Sequence, residues 1–463
     1  MAMSNVTSGF IDLATYDELE KYMYGGDDAT AYFVRETRKS TWFTQVPVAL
    51  SRASGTPSFD SEFSFTVSRA GDYLLAAWLR LTTPAVTASQ TVKDAGEYIR
   101  WTPNFMHNII RECSITFNDL VAARFDQFHL DFWAAFTVPA GKRNGYENMI
   151  GNFGAMTNPT NKTIQSQTLN LPLPFFFCRD SGVALPTAAL PYNDMRINFN
   201  FRPWTDLLIV SAINTGKIGN PNRSATSADI GSGTGLGTSN SLNAQVWANY
   251  AIVSNDERKR MGKGARDMLI EQVQTAPKGI FTPGGSPNYQ VTTDIRFSHA
   301  IKVLFFSVRN KTTPNQWSNY TTADAAPSVT SAPLGTESRD PVLSTSLIYE
   351  NTNRLAAMGS DYFSLMNPWY HAPTIPEDTG YHMFSYSLDF MDLDPKGSTN
   401  YGKLTNVSLV LYASTSASVS SNALDGAQDA SGQNYTQSYE TVVTCVNNNI
   451  VRVAGGALGF PVL

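Results

Sequence analysis

The feature that most constrains the fold is a pattern written twice. Ser114 to Asp119 reads SITFND, with Ile115 and Phe117 on one face and Ser114 and Thr116 on the other, the period-two alternation of a half-buried strand. Ser346 to Asn351 reads SLIYEN: serine, aliphatic Leu347, aromatic Tyr349, then the polar pair Glu350 and Asn351. An aromatic-rich segment follows each run, FDQFHLDFWAAF from Phe125 to Phe136 and DYFSLMNPWY from Asp361 to Tyr370. The first carries an apolar stripe at Phe125, Phe128, Phe132 and Ala135 and is expected to be helical.

Other runs keep the same order. YLLAAWLRL (Tyr73 to Leu81) is answered by AIKVLFFSV (Ala300 to Val308), and MRINFNF (Met195 to Phe201) by LTNVSLVLY (Leu404 to Tyr412). NAQVWANYAIV (Asn243 to Val253) is answered by YETVVTCVNNNIVRV (Tyr439 to Val453). Small-residue loops, Asn214 to Asn240 and Ser414 to Gln433, occupy the same relative place. Further strands are expected at Ala31 to Leu50 (broken at Pro47), Glu62 to Ser68, Leu169 to Arg179, Ala184 to Pro191, Met268 to Val273, Val291 to Phe297 and Gly380 to Phe390. About eight short strands per half, with Gly/Pro turns and long connections, fit an eight-stranded jelly roll built twice. The fold class read from the chain is therefore all-β: two tandem jelly-roll sandwiches, a short N-terminal helix and a few small helices in loops.

A chain of 463 residues has room for two such domains. The expected division is an arm at 1–26, a first roll at 27–256 and a second at 257–463. The charged stretch Ser254 to Asp267 is the connector, with a short helix. In the arm, Thr15 and Glu18 form a capping-box pattern, Gly25 and Gly26 supply a stop, and Tyr16, Leu19, Tyr22 and Met23 line one side at helical spacing. These four are the candidate assembly contacts. Asp17 and Glu18 make the helix acidic, so docking on protein is favoured over an anionic membrane, with packing on its own domain the alternative.

Charged residues make up only 16% of the chain, against roughly 25% in ordinary soluble domains. Such faces cost little to desolvate and suit packing against copies of the same chain. The net charge of −5 and the small basic cluster around Arg258, Lys259 and Arg260 argue against direct nucleic-acid binding. Cys113, Cys178 and Cys445 are too far apart for a CxxC pair or a disulfide framework and point to buried thiols in a reducing compartment. No secretory leader pattern and no apolar run of membrane-spanning length is expected. His107, His129, His299, His371 and His382 lack metal-ligand spacing, and GSGTGLG (Gly231 to Gly237) lacks the strand-turn-helix setting of a nucleotide loop. No catalytic, metal or cofactor residues are nominated, and an enzyme is not expected.

Several stretches are similar to one known family: NVTSGFIDLATYDELEKYMYGG, RAGDYLLAAWLRL, MHNII with SITFND, LPLPFFFCRDSG, ALPYNDMRI, DIRFSHAIK, GSTNYG at Gly397 to Gly402, and the terminal GFPVL. Along nearly its whole length the chain resembles the iridovirus major capsid proteins, with a leaning toward fish or amphibian members. The resemblance implies a double jelly roll that forms homotrimeric, pseudo-hexagonal capsomers. These tile the icosahedral shell of a large DNA virus and assemble in the host cytoplasm. It also implies that the arm faces inward, toward minor capsid proteins or the membrane side. The alternative from the residues is a glycan-binding jelly roll using Trp317 to Tyr320 or Pro368 to Tyr370.

Overall fold

The computed structural model describes residues 10–15, 40–212, 223–232, 236, 242–283, 288–311, 315–322, 340–418 and 438–461. Residues 43–463 form one unit and residues 1–42 another. In the first roll the principal strands are β1 (Phe43–Ala49), β2 (Glu62–Thr66), β3 (Tyr73–Thr82), β4 (Ile110–Phe117), β5 (Leu120–Phe125), β6 (Thr168–Pro172), β7 (Met195–Phe201) and β8 (Asn243–Val253). In the second they are β9 (Arg266–Thr275), β10 (Gln290–Asp294), β11 (Ala300–Asn310), β12 (Val342–Tyr349), β13 (Thr352–Gly359), β14 (His382–Ser385), β15 (Val407–Ala413) and β16 (Tyr439–Ala454).

The sheet orders are the same in both. The first roll pairs β1-β8-β3-β6 in one sheet and β2-β7-β4-β5 in the other. The second pairs β9-β16-β11-β14 and β10-β15-β12-β13. Every one of these pairings is antiparallel. Two facing sheets with these long crossings are jelly rolls, and each strand n has its counterpart at n + 8.

The echo SITFND/SLIYEN is a hairpin made twice. Asn118 (φ 50°) and Asp119 (φ 65°) join β4 to β5, and Glu350 (φ 47°) and Asn351 (φ 63°) join β12 to β13. Two consecutive residues at positive φ are what a two-residue hairpin turn matching strand twist needs. Each first turn residue also clamps the chain just before the next inner strand. Asn118 N–H donates to the Asp194 carbonyl (2.9 Å) and its Oδ1 accepts from Asp194 N–H (2.7 Å). Glu350 N–H donates to Asn406 (3.1 Å), and its Oε1 accepts from the backbone of Thr405 and Asn406.

Each roll has a core, and that of the first runs on into Met268, Ile270, Val451 and Val453 of the second. In the first, Phe63 stacks on Phe199 (5.5 Å) and meets Phe201 edge-on (4.7 Å). In the second, Phe306 meets Phe363 edge-on (5.2 Å) above Leu409 and Leu411. The connector contains α2 (Asn255–Lys263), reached after the helix α1 (Gln127–Thr137) of the first roll. Arg258 of α2 grips Asp72 through Nε–Oδ1 (2.6 Å) and Nη2–Oδ2 (2.9 Å), and Val253 N–H donates to the same carboxylate (2.9 Å).

Several expectations are corrected. Pro47 does not break its strand: β1 runs through it, opposite Asn249, because β1 is an edge strand and needs donors on one side only. Ala184 to Pro191 is not a strand. Pro186 and Pro191 lack donors, and the segment forms short 3₁₀ turns at Ser181–Val183 and Thr187–Ala189, with a single bridge from Leu185 to Leu74. The strand expected to reach Arg179 stops at Pro172, and that expected over Gly380 to Phe390 is only β14. Within the loop at 214–240, residues 223–232 are anchored: Arg223 sits between Glu97 (2.5 Å) and Asp229 (2.7 Å), and Thr226 and Asp229 form a capping box. Thr15 follows the helical residues 10–14 and returns its N–H (3.2 Å) and Oγ (2.6 Å) to Asp12, and the helix expected to start from it lies outside the described residues.

Candidate assembly surface

Between β5 and β6 the first roll sends out α1, whose apolar stripe lies on the outer face of the second roll's β9-β16-β11-β14 sheet. Phe128, Phe132, Ala135 and Phe136 form one buried cluster with Val303, Phe305, Met383, Val442 and Val446. Phe132 stacks on Phe305 at 5.7 Å and 9°, and Phe136 on Phe305 at 5.4 Å and 17°. The period of four along α1 puts both rings over one strand position. This is why β11 is buried on both faces over nearly its whole length, and why AIKVLFFSV is an unbroken apolar run apart from Lys302 and Ser307.

Polar groups pin this seam. Asp131 of α1 is fully buried and accepts from Tyr320 (2.9 Å) and Ser318 (3.0 Å) of the second roll, while His107 Nδ1 lies 2.8 Å away. Burial and the Asp131 charge push the Tyr320 hydroxyl well up, so it stays a donor. Glu271 of β9 bridges Arg179 of the first roll and Lys302 of β11 (2.5 Å), and Arg179 lies 3.8 Å over the Trp133 ring. Burial lowers the Arg179 pKa and Glu271 opposes the fall. Arg202 donates to Gln127 and stacks 3.7 Å over Trp317, which also faces Arg309 at 4.5 Å. Burial and the nearby Arg309 push Arg202 down to about 10. Removing one partner from such buried pairs costs roughly 3–5 kcal/mol, so they fix how one roll sits on the other.

The residues singled out from the sequence divide accordingly. Trp317 is held between two arginines and Tyr320 is buried, so the first of the two aromatic patches is spent inside the molecule. The second is exposed. A π-helical turn, Tyr362–Met366, runs into α3 (Asn367–His371). Phe363 and Pro368 point inward, whereas Leu365 (50%), Met366 (48%), Trp369 (70%) and Tyr370 (69%) face solvent, with Leu388 (73%) alongside. Burial pushes the Cys178 thiol up to about 12 and His129 down to about 3, neither suited to reaction at neutral pH. His382 packs flat on Phe306 and lies 2.6 Å from Asp340. Among the described residues no cluster of His, Cys, Asp and Glu can hold a metal ion. Gly231 N–H donates to the Thr87 carbonyl as part of the loop's anchorage. Tyr16, Leu19, Tyr22 and Met23 lie outside the described residues.

Sequence reasoning found α1 and its stripe, except that Phe125 ends β5 and packs in the first roll's core, but not its partner, because a contact between Phe132 and Phe305 leaves no local signature. The one available signal was AIKVLFFSV itself, an apolar run that needs cover on both faces.

Comparison with known proteins agrees with this architecture. A family model described as "Major capsid protein N-terminus" matches residues 31–253, and one described as "Large eukaryotic DNA virus major capsid protein" matches residues 257–459. The chain is 61% identical to the major capsid protein of Costelytra zealandica iridescent virus and 59% identical to that of Invertebrate iridescent virus 6, each match covering the whole of both chains. Identity to the Frog virus 3 protein is lower, 45% over 99% of each chain, which corrects the leaning toward amphibian members. Among solved structures, VP54 of PBCV-1, fitted into a reconstruction of the virophage Sputnik, superposes with a TM-score of 0.73 at 19% identity, covering 94% of this chain and all of that one. The Faustovirus major capsid protein gives 0.68 at 12% identity, covering 95% of each. These likenesses carry the fold, double jelly roll on double jelly roll, while the full-length identities carry the lineage. The chain belongs to the major capsid protein family of the large eukaryotic DNA viruses, as an iridovirus-type member.

Proposed function

We propose that the chain works as a homotrimer, that the trimer is a pseudo-hexagonal capsomer, and that these blocks tile the icosahedral capsid shell of a large DNA virus assembled in the host cytoplasm. The observation that supports this best is the identical strand order of the two rolls: three chains of two like domains give six like sectors. The working divisions are an arm at 1–26, a first roll at 27–256 and a second at 257–463. The arm, through Tyr16, Leu19, Tyr22 and Met23, docks on minor capsid proteins or other components on the inner, membrane side. The body serves as a structural element and not as a catalyst. A glycan-binding role has no support beyond the exposed Trp369 and Tyr370.

The test is light scattering of the purified chain with electron microscopy of its assemblies. A trimer mass and hexagonal blocks are expected; a monodisperse monomer at micromolar concentration refutes the trimer. Removing residues 1–26 should leave the trimer intact and lower particle yield, and unchanged yield refutes the role of the arm.

A further inference from the structure

The two rolls differ in one respect that their common topology makes conspicuous. The outer face of the second roll's β9-β16-β11-β14 sheet is covered by α1. The corresponding face of the first roll, on β1-β8-β3-β6, has no such helix over it among the described residues. Alternation fixes what that face presents. Leu74, Ala77, Leu79 and Leu81 of β3 and Val246 and Ala248 of β8 are buried inward, so Trp78 and Trp247, paired in register, point outward. They stack on each other at 6.4 Å and 13° and remain half-buried. Exposed Pro47 and Ala49 of β1 lie on the same side, opposite Asn249 and Trp247. Arg80 is the only charged residue in these four strands, all of them described. YLLAAWLRL is as continuously apolar as AIKVLFFSV, a composition suited to a strand covered on both faces.

The second roll carries the matching cover. Its helical segment from Tyr362 to His371 follows β13 and precedes β14, as α1 follows β5 and precedes β6. Leu365 with Trp369 and Met366 with Tyr370 repeat the spacing of four by which Phe128, Phe132 and Phe136 seat α1. In α1 that face is buried; in the second helix it is exposed. Tryptophan, tyrosine and methionine are the residues enriched at protein interfaces. Arg80 also suits this occupant, since the internal seam sets cations over aromatic rings, with Arg179 over Trp133 and Lys278 over Phe128 (4.1 Å).

We infer that the Leu365, Met366, Trp369, Tyr370 face of one copy docks on the Trp78–Trp247 face of the first roll of a second copy, repeating between chains the contact that α1 makes within one. The contact is head-to-tail, so each copy offers one helix and one sheet, and its closure into a ring of three rests on the trimer proposed above.

Two variants test it in the full chain. Trp369→Ala with Tyr370→Ala removes two exposed side chains and should leave circular dichroism and thermal unfolding of the monomer unchanged. It should raise the concentration of half-dissociation by about thirtyfold or more, the scale of losing an interface anchor. Tyr370→Cys and Gln245→Cys, made in separate chains that also carry Cys178→Ser, should crosslink with a short bifunctional maleimide only when mixed, since Cys113 and Cys445 are buried and the half-buried Cys178 has been removed. A trimer that keeps its affinity in the double variant and yields no mixed crosslink overturns this docking and leaves the trimer standing. An unaltered chain that stays monomeric overturns both.

Discussion

Phe132→Ala is the sharpest perturbation of the seam. The ring is fully buried, stacks on Phe305 at 5.7 Å and meets Tyr381 edge-on at 5.8 Å. Truncating a buried phenylalanine costs about 3–5 kcal/mol including the cavity left behind. Each aromatic pair contributes about 0.5–1.5 kcal/mol of that beyond burial. The loss should therefore be about 4 kcal/mol and should fall on the coupling between rolls, because the Phe63–Phe199 and Phe306–Phe363 cores do not include this ring. Urea unfolding at one fixed protein concentration, followed by far-UV circular dichroism and by tryptophan fluorescence, reads this directly. Trp133 lies in the seam and reports on it. The unaltered chain should give coincident curves, and the variant an early fluorescence change ahead of the loss of strand signal. Phe305→Ala should behave alike, and the double variant should fall short of the sum of the two by about 1 kcal/mol. A loss below about 1 kcal/mol, or costs that add to within the roughly 0.3–0.5 kcal/mol expected of independent sites, would refute the claim that this stack joins the rolls.

Asn118→Ala should destabilise by roughly 2 kcal/mol, combining a left-handed backbone residue with loss of the acceptor for Asp194 N–H; Asn118→Gly should recover the backbone part only, and equal urea midpoints for the two variants would contradict this. The connector should respond to acid. Burial pushes the Asp72 carboxyl up, but the Arg258 and Val253 hydrogen bonds outweigh it and the net pKa is lowered. A group depressed in the folded state contributes stability above its unfolded pKa of about 3.9 and loses it as pH falls through the lower folded value. The difference in urea midpoint between the unaltered chain and Asp72→Asn should hold near neutrality and shrink below about pH 4; a difference that grows on acidification would contradict the assignment.

The strands that the sequence revealed are those whose two faces differ or whose whole length is apolar. MRINFNF alternates and became β7, with Met195, Ile197, Phe199 and Phe201 inward. Among the sixteen principal strands, those it concealed are β5 (LVAARF) and β13 (TNRLAAMG), rich in Ala, Leu and Arg, residues that favour helix in isolation. Both are edge strands held by hairpin geometry, so tertiary pairing overrides propensity. The clue lay in ND and EN, the turn residues at the end of the echoed pattern, where a hairpin reading would have supplied the missing partner. The buried charges left no local sign either. Glu271, Lys302 and Arg179 look like surface positions in a chain poor in charge, yet they form a buried bridge between the rolls.

That bridge bears on how a charge-poor chain keeps its geometry. Apolar contact is non-directional and tolerates sliding, as a ring stacked on a sheet has several near-equal seats. A buried Asp131 with two hydroxyl donors, or a Glu271 shared by two cations, tolerates none, since any shift strands a desolvated charge at a cost of several kcal/mol. The internal seam therefore combines a greasy stack for affinity with buried charges for register. The exposed pair of faces proposed for the contact between copies has the greasy half, with Arg80 the only charge on the sheet side. Docking there should consequently be weaker and more forgiving of angle than the joint within the chain. A shell block needs that difference: two rolls fixed rigidly inside each subunit, and subunits able to associate and correct their fit while the assembly closes.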